Sequence, residues 1–192
     1  MKQQIRRGVF ETNSSSVHTI SLYNGESKYA SPDFLEFVDY FYDEDDNYHK
    51  GPFVQIPLGD FGWDIMEYNN PNDKLSYLMT FAKELYIRKL YEETGDWGRE
   101  NFAYNFTHSE FFKQIEEAVT NYCNDKGLEC KGIYLNAKVP SDGYVDHQAH
   151  EDYKDLNKYL ENNSVSSIEQ YVFDFSCHVC TDNDNHDDGY WY

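Results

Sequence analysis

Basic residues are scarce in this chain. Its 192 residues include 16 Lys and Arg against 35 Asp and Glu, a formal net charge of −19. With a sequence pI near 4.5, general nucleic-acid binding is not expected, because such proteins neutralise phosphates with clustered Lys and Arg. The same charge disfavours an anionic membrane surface. Long apolar runs are missing too: none approaches the roughly 18–20 residues that would span a bilayer. The opening Met1-Lys2-Gln3-Gln4-Ile5-Arg6-Arg7 lacks the apolar stretch of a secretion signal. Cysteine is sparse, at four residues, too few for a disulfide framework at this length. Reduced thiols in a cytoplasm are the expectation. Internal repeats and flexible linkers are absent, as are a Walker loop, a GxGxxG fingerprint and a kinase signature.

Aromatic residues are plentiful. They make up 18% of the chain, chiefly 18 Tyr and 13 Phe, which excludes an aromatic-poor acidic disordered tail. The acid excess is uneven. Residues 1–30 are slightly basic. Residues 31–64 hold nine acids and one base, residues 66–140 nearly balance, and residues 141–192 hold twelve acids and two bases.

The length suits one domain spanning residues 1–192. Local patterns predict its elements. Ile5–Phe10 and Val17–Tyr23 read as strands around a turn at Glu11–Ser16. Ser31-Pro32 predicts the start of a short helix carrying Phe34, Leu35, Val38, Phe41 and Tyr42, ended by the like charges of Asp43–Asp46. Phe53–Leu58 reads as extended, and residues 59–72, with Trp63, as an irregular loop. Leu75, Leu78, Met79, Ala82, Leu85, Tyr86 and Leu90 form the apolar stripe of the strongest helix, capped by Asn72 or Asp73 and closed by Gly95. A third helix starts at Ser109, continues through Phe112, Ile115, Val119 and Tyr122, and closes at Gly127. Alternation at Ile133, Leu135, Ala137 and Val139 predicts a strand. Tyr153, Leu156 and Leu160 suggest a short helix, and Val172, Phe173 and Phe175 a last strand. The expectation is an α+β fold: a small antiparallel sheet from amino- and carboxy-terminal strands, with three to four helices.

Several clusters carry candidate chemistry. Cys123 and Cys130, with Cys177 and Cys180, could supply four thiolates to a structural zinc, although only the second pair has the CxxC spacing of a knuckle. Buried free thiols are the alternative. His147 and His150 sit at i, i+3, where a helix would place both on one face as metal ligands; a polar loop whose histidines pair with local acids is the simpler reading. The run Asp182–Gly189 fails as a calcium loop, because neither frame combines Gly at the sixth position with a Glu at the twelfth. Asn13, Ser14, Ser15 and Ser16, next to His18 and near Arg7, offer hydroxyls, turn amides and a guanidinium to a phosphate. A hairpin turn whose hydroxyls satisfy their own backbone accounts for the same residues. The acidic blocks could be solvated faces. Carboxylates interleaved with Tyr on a rigid face can also imitate duplex phosphates and draw proteins with basic grooves, with Tyr as the anchor. Asp39, Tyr42, Asp43, Glu44, Asp45, Asp46 and Tyr48 are the candidates for such a contact.

The stretch Ile5-Arg6-Arg7-Gly8-Val9-Phe10-Glu11-Thr12-Asn13-Ser14-Ser15-Ser16-Val17-His18 resembles the opening of a group of small proteins from bacteriophages, prophages and Firmicute-type bacteria. Gly59–Trp63, Lys74–Leu78, Gly143–Gln148 and Asn183–Asn185 are similar to further pieces of that group. The resemblance implies origin more than activity. It points to a polar site built from Asn13–Ser16, His18, Asp146, His147 and Asn183–Asn185. Ala149 departs from the hydroxyl residue expected there, which weakens a catalytic role for that loop. Two functions follow as expectations. One is an acidic inhibitor in the bacterial host cytoplasm. It would bind a host protein with a basic nucleic-acid groove, such as a CRISPR effector nuclease, as anti-CRISPR and DNA-mimic proteins do, without contacting nucleic acid or membrane itself. The other is a nucleotide- or phosphoester-processing enzyme, metal-dependent in one version, with His18, Asp146, His147 and Asp184 as catalytic candidates beside the Ser14–Ser16 turn.

Overall fold

Proline at the first helical position, a side-chain cap before it and a left-handed glycine after it delimit the longest element of the fold. The computed structural model describes residues 2–3, 16–23, 34–43, 46–61, 66–95, 102–136, 143–145, 165–175 and 177–183. Helix α1 (Pro71–Thr94) begins at Asn70, whose side chain accepts from the Asp73 amide at 2.9 Å. Pro71 occupies the position where an amide hydrogen has no helical acceptor. Asn70 is therefore the cap rather than Asn72 or Asp73, and the Asn72 side chain donates instead to the Phe34 carbonyl. Gly95, at φ +74, donates to the Tyr91 carbonyl at 2.8 Å and closes the helix as expected.

The other elements are β1 (Lys2–Gln3), β2 (Ser16–Tyr23), β3 (Phe37–Tyr42), β4 (Tyr48–Pro57), β5 (Asp60–Phe61), β6 (Met66–Tyr68), α2 (Phe102–Thr107), α3 (Glu110–Asp125), β7 (Ile133–Asn136), β8 (Tyr144–Val145), α4 (Val165–Phe173) and β9 (His178–Asn183). The class is α+β. One sheet, ordered β1-β2-β9-β6, joins amino- and carboxy-terminal strands in antiparallel register and adds β6 from mid-chain. A second, β3-β4-β7, is mixed: β3 and β4 are antiparallel, β4 and β7 parallel. The third is the parallel pair β5-β8. The last two sheets come from mid-chain, so strands are not confined to the chain ends.

Helix α3 follows its sequence signals closely. Ser109 accepts from the Phe112 amide, and Phe112, Ile115, Ala118, Val119, Tyr122 and Cys123 are buried on one side. At its end the Gly127 and Leu128 amides donate to the Asn124 and Cys123 carbonyls, both at 2.9 Å, with Gly127 at φ +79. This is a Schellman closure. Tyr122 stacks on Phe173 of α4 with ring centroids 3.6 Å apart.

Several local expectations are overturned. Phe37–Tyr42 is a strand, because its aromatic and β-branched residues pair with Tyr48–Pro57. The acidic run turns the chain instead of ending a helix: Asp43 accepts from the Asn47 amide at 2.8 Å, and Asp46 adopts φ +59. Val172 and Phe173 close helix α4, in which Ile168, Tyr171 and Val172 recur at helical spacing and are buried; the last strand lies beyond them at His178–Asn183. Ser16, expected in the turn, opens β2. The segment 59–72 contains β5 and β6, and α2 had no sequence expectation. The predicted strand at Ile5–Phe10, the helix at Tyr153–Leu160, Trp63, Ala137 and Val139 lie outside the described residues.

The core runs from Leu35 and Val54 through α1, α2 and α3 to Phe173. Every residue from Lys74 to Lys83 is buried, so α1 has no solvent face over that span, contrary to the single apolar stripe expected. It touches β4, β8, α3 and α4. No helix among the described residues is long and apolar enough to cross a membrane.

Gly143 and Gly95 provide a matched test. Both have positive φ, but a Cβ at Gly143 would lie 2.5 Å from the Leu58 Cβ and about 3 Å from the Gly59 backbone, whereas one at Gly95 meets nothing within 4 Å. Gly95→Ala is expected to lower stability by about 1 kcal/mol, the left-handed cost alone. Gly143→Ala should cost about 1–3 kcal/mol more through overpacking. Denaturant midpoints of the two variants measure the difference.

Candidate functional site

Backbone register gathers part of the predicted polar site. In the antiparallel pairing of β2 with β9, Ser16 is opposite Asn183 and His18 opposite Thr181, with Met66 of β6 on the other side of Thr181. β9 ends at Asn183, directly before Asp184, and β8 ends at Val145, directly before Asp146. Arg7, Asn13, Ser14, Ser15, Asp146, His147, His150 and Asp184 lie outside the described residues.

The four cysteines divide. Cys123, near the end of α3, and Cys130, just before β7, are buried reduced thiols, joined by a side-chain hydrogen bond. Cys130 Sγ donates to the Gly132 carbonyl at 3.4 Å, and the neighbouring Cys123 side chain lowers Cys130 from its ordinary value to about 6 despite burial. The donor role and burial push Cys123 up. Their contact thus shifts the two thiols in opposite directions. Cys177 is buried elsewhere, beside Lys74. Cys180 is the β9 residue between Thr19 of β2 and Glu67 of β6. Among the described residues no three His, Cys, Asp or Glu side chains form a group that could hold a metal ion.

Two buried lysines on α1 went unnoticed in the sequence. Lys74 Nζ donates to the carbonyls of Asp174 at 2.7 Å and Cys177 at 2.9 Å, beyond the end of α4. Burial lowers its pKa to about 8, against the opposing pull of Cys177 and Asp174. Lys83 Nζ donates to the Gly143 carbonyl and pairs with Glu84 at 2.8 Å. The lysines are nine positions apart, about half a turn around the helix. Their signal was a charged residue inside an otherwise apolar pattern, which normally marks a solvated face. Both ammonium groups hold backbone carbonyls and serve the fold.

The most exposed apolar grouping is at the β3–β4 hairpin. Tyr40, Tyr42 and Tyr48 are 57, 58 and 55% exposed, and Tyr42 is opposite Tyr48 in the register. Their rings touch one another, with centroids 5.5–6.3 Å apart. Phe41, between the two strand tyrosines, is stacked on His49 at 4.7 Å and on Tyr134 at 4.8 Å and meets the Phe53 edge. Asp43 is spent inside the hairpin, binding Asn47 and, at 2.8 Å, His49 Nε2. Asp39 and Asp46 are exposed. Of the predicted contact residues, Asp39, Tyr42, Asp43, Asp46 and Tyr48 thus share one hairpin with Tyr40, which the sequence reading had passed over. Glu44 and Asp45 lie outside the described residues.

Two outcomes follow from the buried groups. Thiolate absorbance near 240 nm should appear in the folded protein as pH rises through about 6. Cys123→Ala, which removes the donor, should shift that step upward, towards the ordinary thiol range. Because the Cys130 value is depressed, its contribution to stability is lost as pH falls through about 6. Lys74→Met should lower stability by about 1–3 kcal/mol in chemical denaturation, since two carbonyls lose their donor in a dry site.

No protein-family model, curated protein or solved structure matches this chain.

Proposed function

We propose that this chain is an acidic protein of phage or mobile-element type that occupies the basic nucleic-acid channel of a host complex, a CRISPR effector nuclease being the first candidate, and blocks it in the bacterial cytoplasm. The observation that carries the reading is the β3–β4 hairpin: three half-exposed tyrosines in mutual contact, on a hairpin that also carries the exposed carboxylates of Asp39 and Asp46, in a chain of net charge −19. Carboxylates supply long-range attraction to a channel built for phosphates. Tyrosine supplies rigid contact area at low entropic cost. The stacked Phe41, His49 and Tyr134 tie the two strands of the hairpin to β7.

The test is capture of targets from host lysate, followed by affinity measurement on the purified complex. Binding should weaken steeply between about 50 and about 500 mM salt, as expected for screened charges. Asp39→Lys combined with Asp46→Lys should weaken it by roughly tenfold or more. Tight binding indifferent to both would overturn the electrostatic reading.

A second reading, a nucleotide- or phosphoester-processing enzyme, draws support from the register that sets Ser16 opposite Asn183 and His18 opposite Thr181. Its site would add Asp146, His147 and Asp184, and a metal if one is used. Ala substitution of His18 and His147 should abolish phosphoester turnover with the fold retained; inhibition of a host target that survives both changes rejects the enzyme.

A further inference from the structure

We infer that the tip of the β3–β4 hairpin reads arginine: its tyrosine trio is a stacking platform for guanidinium groups of a basic partner segment. This rests on the proposal that the hairpin is the docking element, and it names the chemistry of the contact.

The geometry selects the ligand class. Tyr40 and Tyr42 meet at an interplanar angle of 84°, Tyr42 and Tyr48 at 55°, and Tyr40 and Tyr48 at 35°. Each ring therefore leans on its neighbours and still presents more than half of its surface to solvent. Ring faces carry negative quadrupole density and attract cations. The exposed Asp39 and Asp46 of the same hairpin add to the negative field that draws cations, while Asp43 is already engaged by His49 and Asn47 within the hairpin. Among basic side chains, guanidinium is planar and weakly hydrated, so it lies flat on a ring. The compact ammonium of lysine keeps its water and gains less.

Other occupants fit worse. A second copy brings another −19 and a hairpin whose only Lys or Arg is Lys50, itself opposite Tyr40 in the register. Unpaired nucleic-acid bases could stack on the rings, but the adjacent carboxylates repel the phosphates they carry. An apolar segment would leave Asp39 and Asp46 without counter-charge.

The test uses the full chain with three synthetic probes of equal length: an Arg-Gly repeat peptide, the matching Lys-Gly peptide and a short single-stranded oligonucleotide. Calorimetry gives affinities at constant salt, and tyrosine ring resonances locate the contact. The arginine peptide should bind roughly 2–5-fold more tightly than the lysine peptide, the range expected for solvent-exposed cation–π contacts. Tyr40→Ala, Tyr42→Ala and Tyr48→Ala should each reduce that preference, and the triple variant should abolish it. Asp39→Asn should weaken both peptides alike and leave the preference standing. Equal affinity for the two peptides, a preference that survives the triple variant, or tighter binding of the oligonucleotide each overturns the inference. Circular dichroism of each variant separates loss of contact from loss of fold. The two levels fail apart. A host complex still captured by the triple tyrosine variant, and released by the Asp39→Lys and Asp46→Lys changes, removes the arginine contact and keeps the inhibitor reading. An arginine preference in a chain that captures no nucleic-acid-processing complex does the reverse.

Discussion

The structure depends on a helix that has no solvent face over its middle turns. Encasing α1 means that every polar side chain it carries there must find a partner inside the protein, because an unsatisfied buried donor or charge costs several kcal/mol. Most of the partners are backbone groups at or just beyond the ends of neighbouring elements. Ser76 donates to the Pro57 carbonyl at 2.7 Å, and Thr80 accepts from the Gly59 amide at 3.2 Å, which ties down the passage from β4 to β5. Lys83 holds Gly143, just before β8, and Lys74 holds the connection from α4 to β9. One helix thereby positions the start of three strands. The aromatic rings of Phe61, Tyr68, Tyr77 and Phe81 pack edge-on and stacked along the same helix, supplying the apolar burial that offsets the desolvation of the lysines.

That arrangement explains how so acidic a chain folds. Among the described residues the buried charged side chains are Lys74, Lys83 and Asp174, and the two lysines are spent on carbonyl dipoles, whereas carboxylates such as Asp39, Asp46, Asp73 and Glu110 are exposed. Asp174, just after α4, has Lys74 on its carbonyl. The β3–β4 hairpin carries both exposed rings and exposed carboxylates.

Legibility in the sequence tracked the range of the interactions. Ser109 and Gly127 bound α3, and Gly95 ends α1, because caps depend on a few neighbouring residues and on the left-handed freedom of glycine. Val17–Tyr23 reads as a strand from β-branched and aromatic content and lies within one residue of β2, and Phe53–Leu58 reads as extended and matches the second half of β4, which begins five residues earlier at Tyr48. Residues 34–42 misled, since an apolar spacing that fits a short helix fits an edge strand equally well; pairing with a segment across a turn decides between them. Val172 and Phe173 misled in the opposite direction, their β-forming side chains being buried in a helix whose fate is set by Tyr122 and the core around it. At the candidate site, the acids and Tyr42 and Tyr48 were visible as composition, but Tyr40 joins them only through the hairpin register.

By itself the sequence determined the α+β class, the Ser109 start of α3, the glycine closures of α1 and α3, the strong negative charge and the presence of Tyr between acids, because each of these is local or compositional. Tertiary structure alone decided that α1 is buried all round, that Lys74 and Lys83 are interior cations, that Cys123 and Cys130 share a hydrogen bond while Cys177 does not join them, and that three tyrosines meet at one exposed tip. These features require residues far apart in the chain to meet, and no periodicity records which surface will cover which.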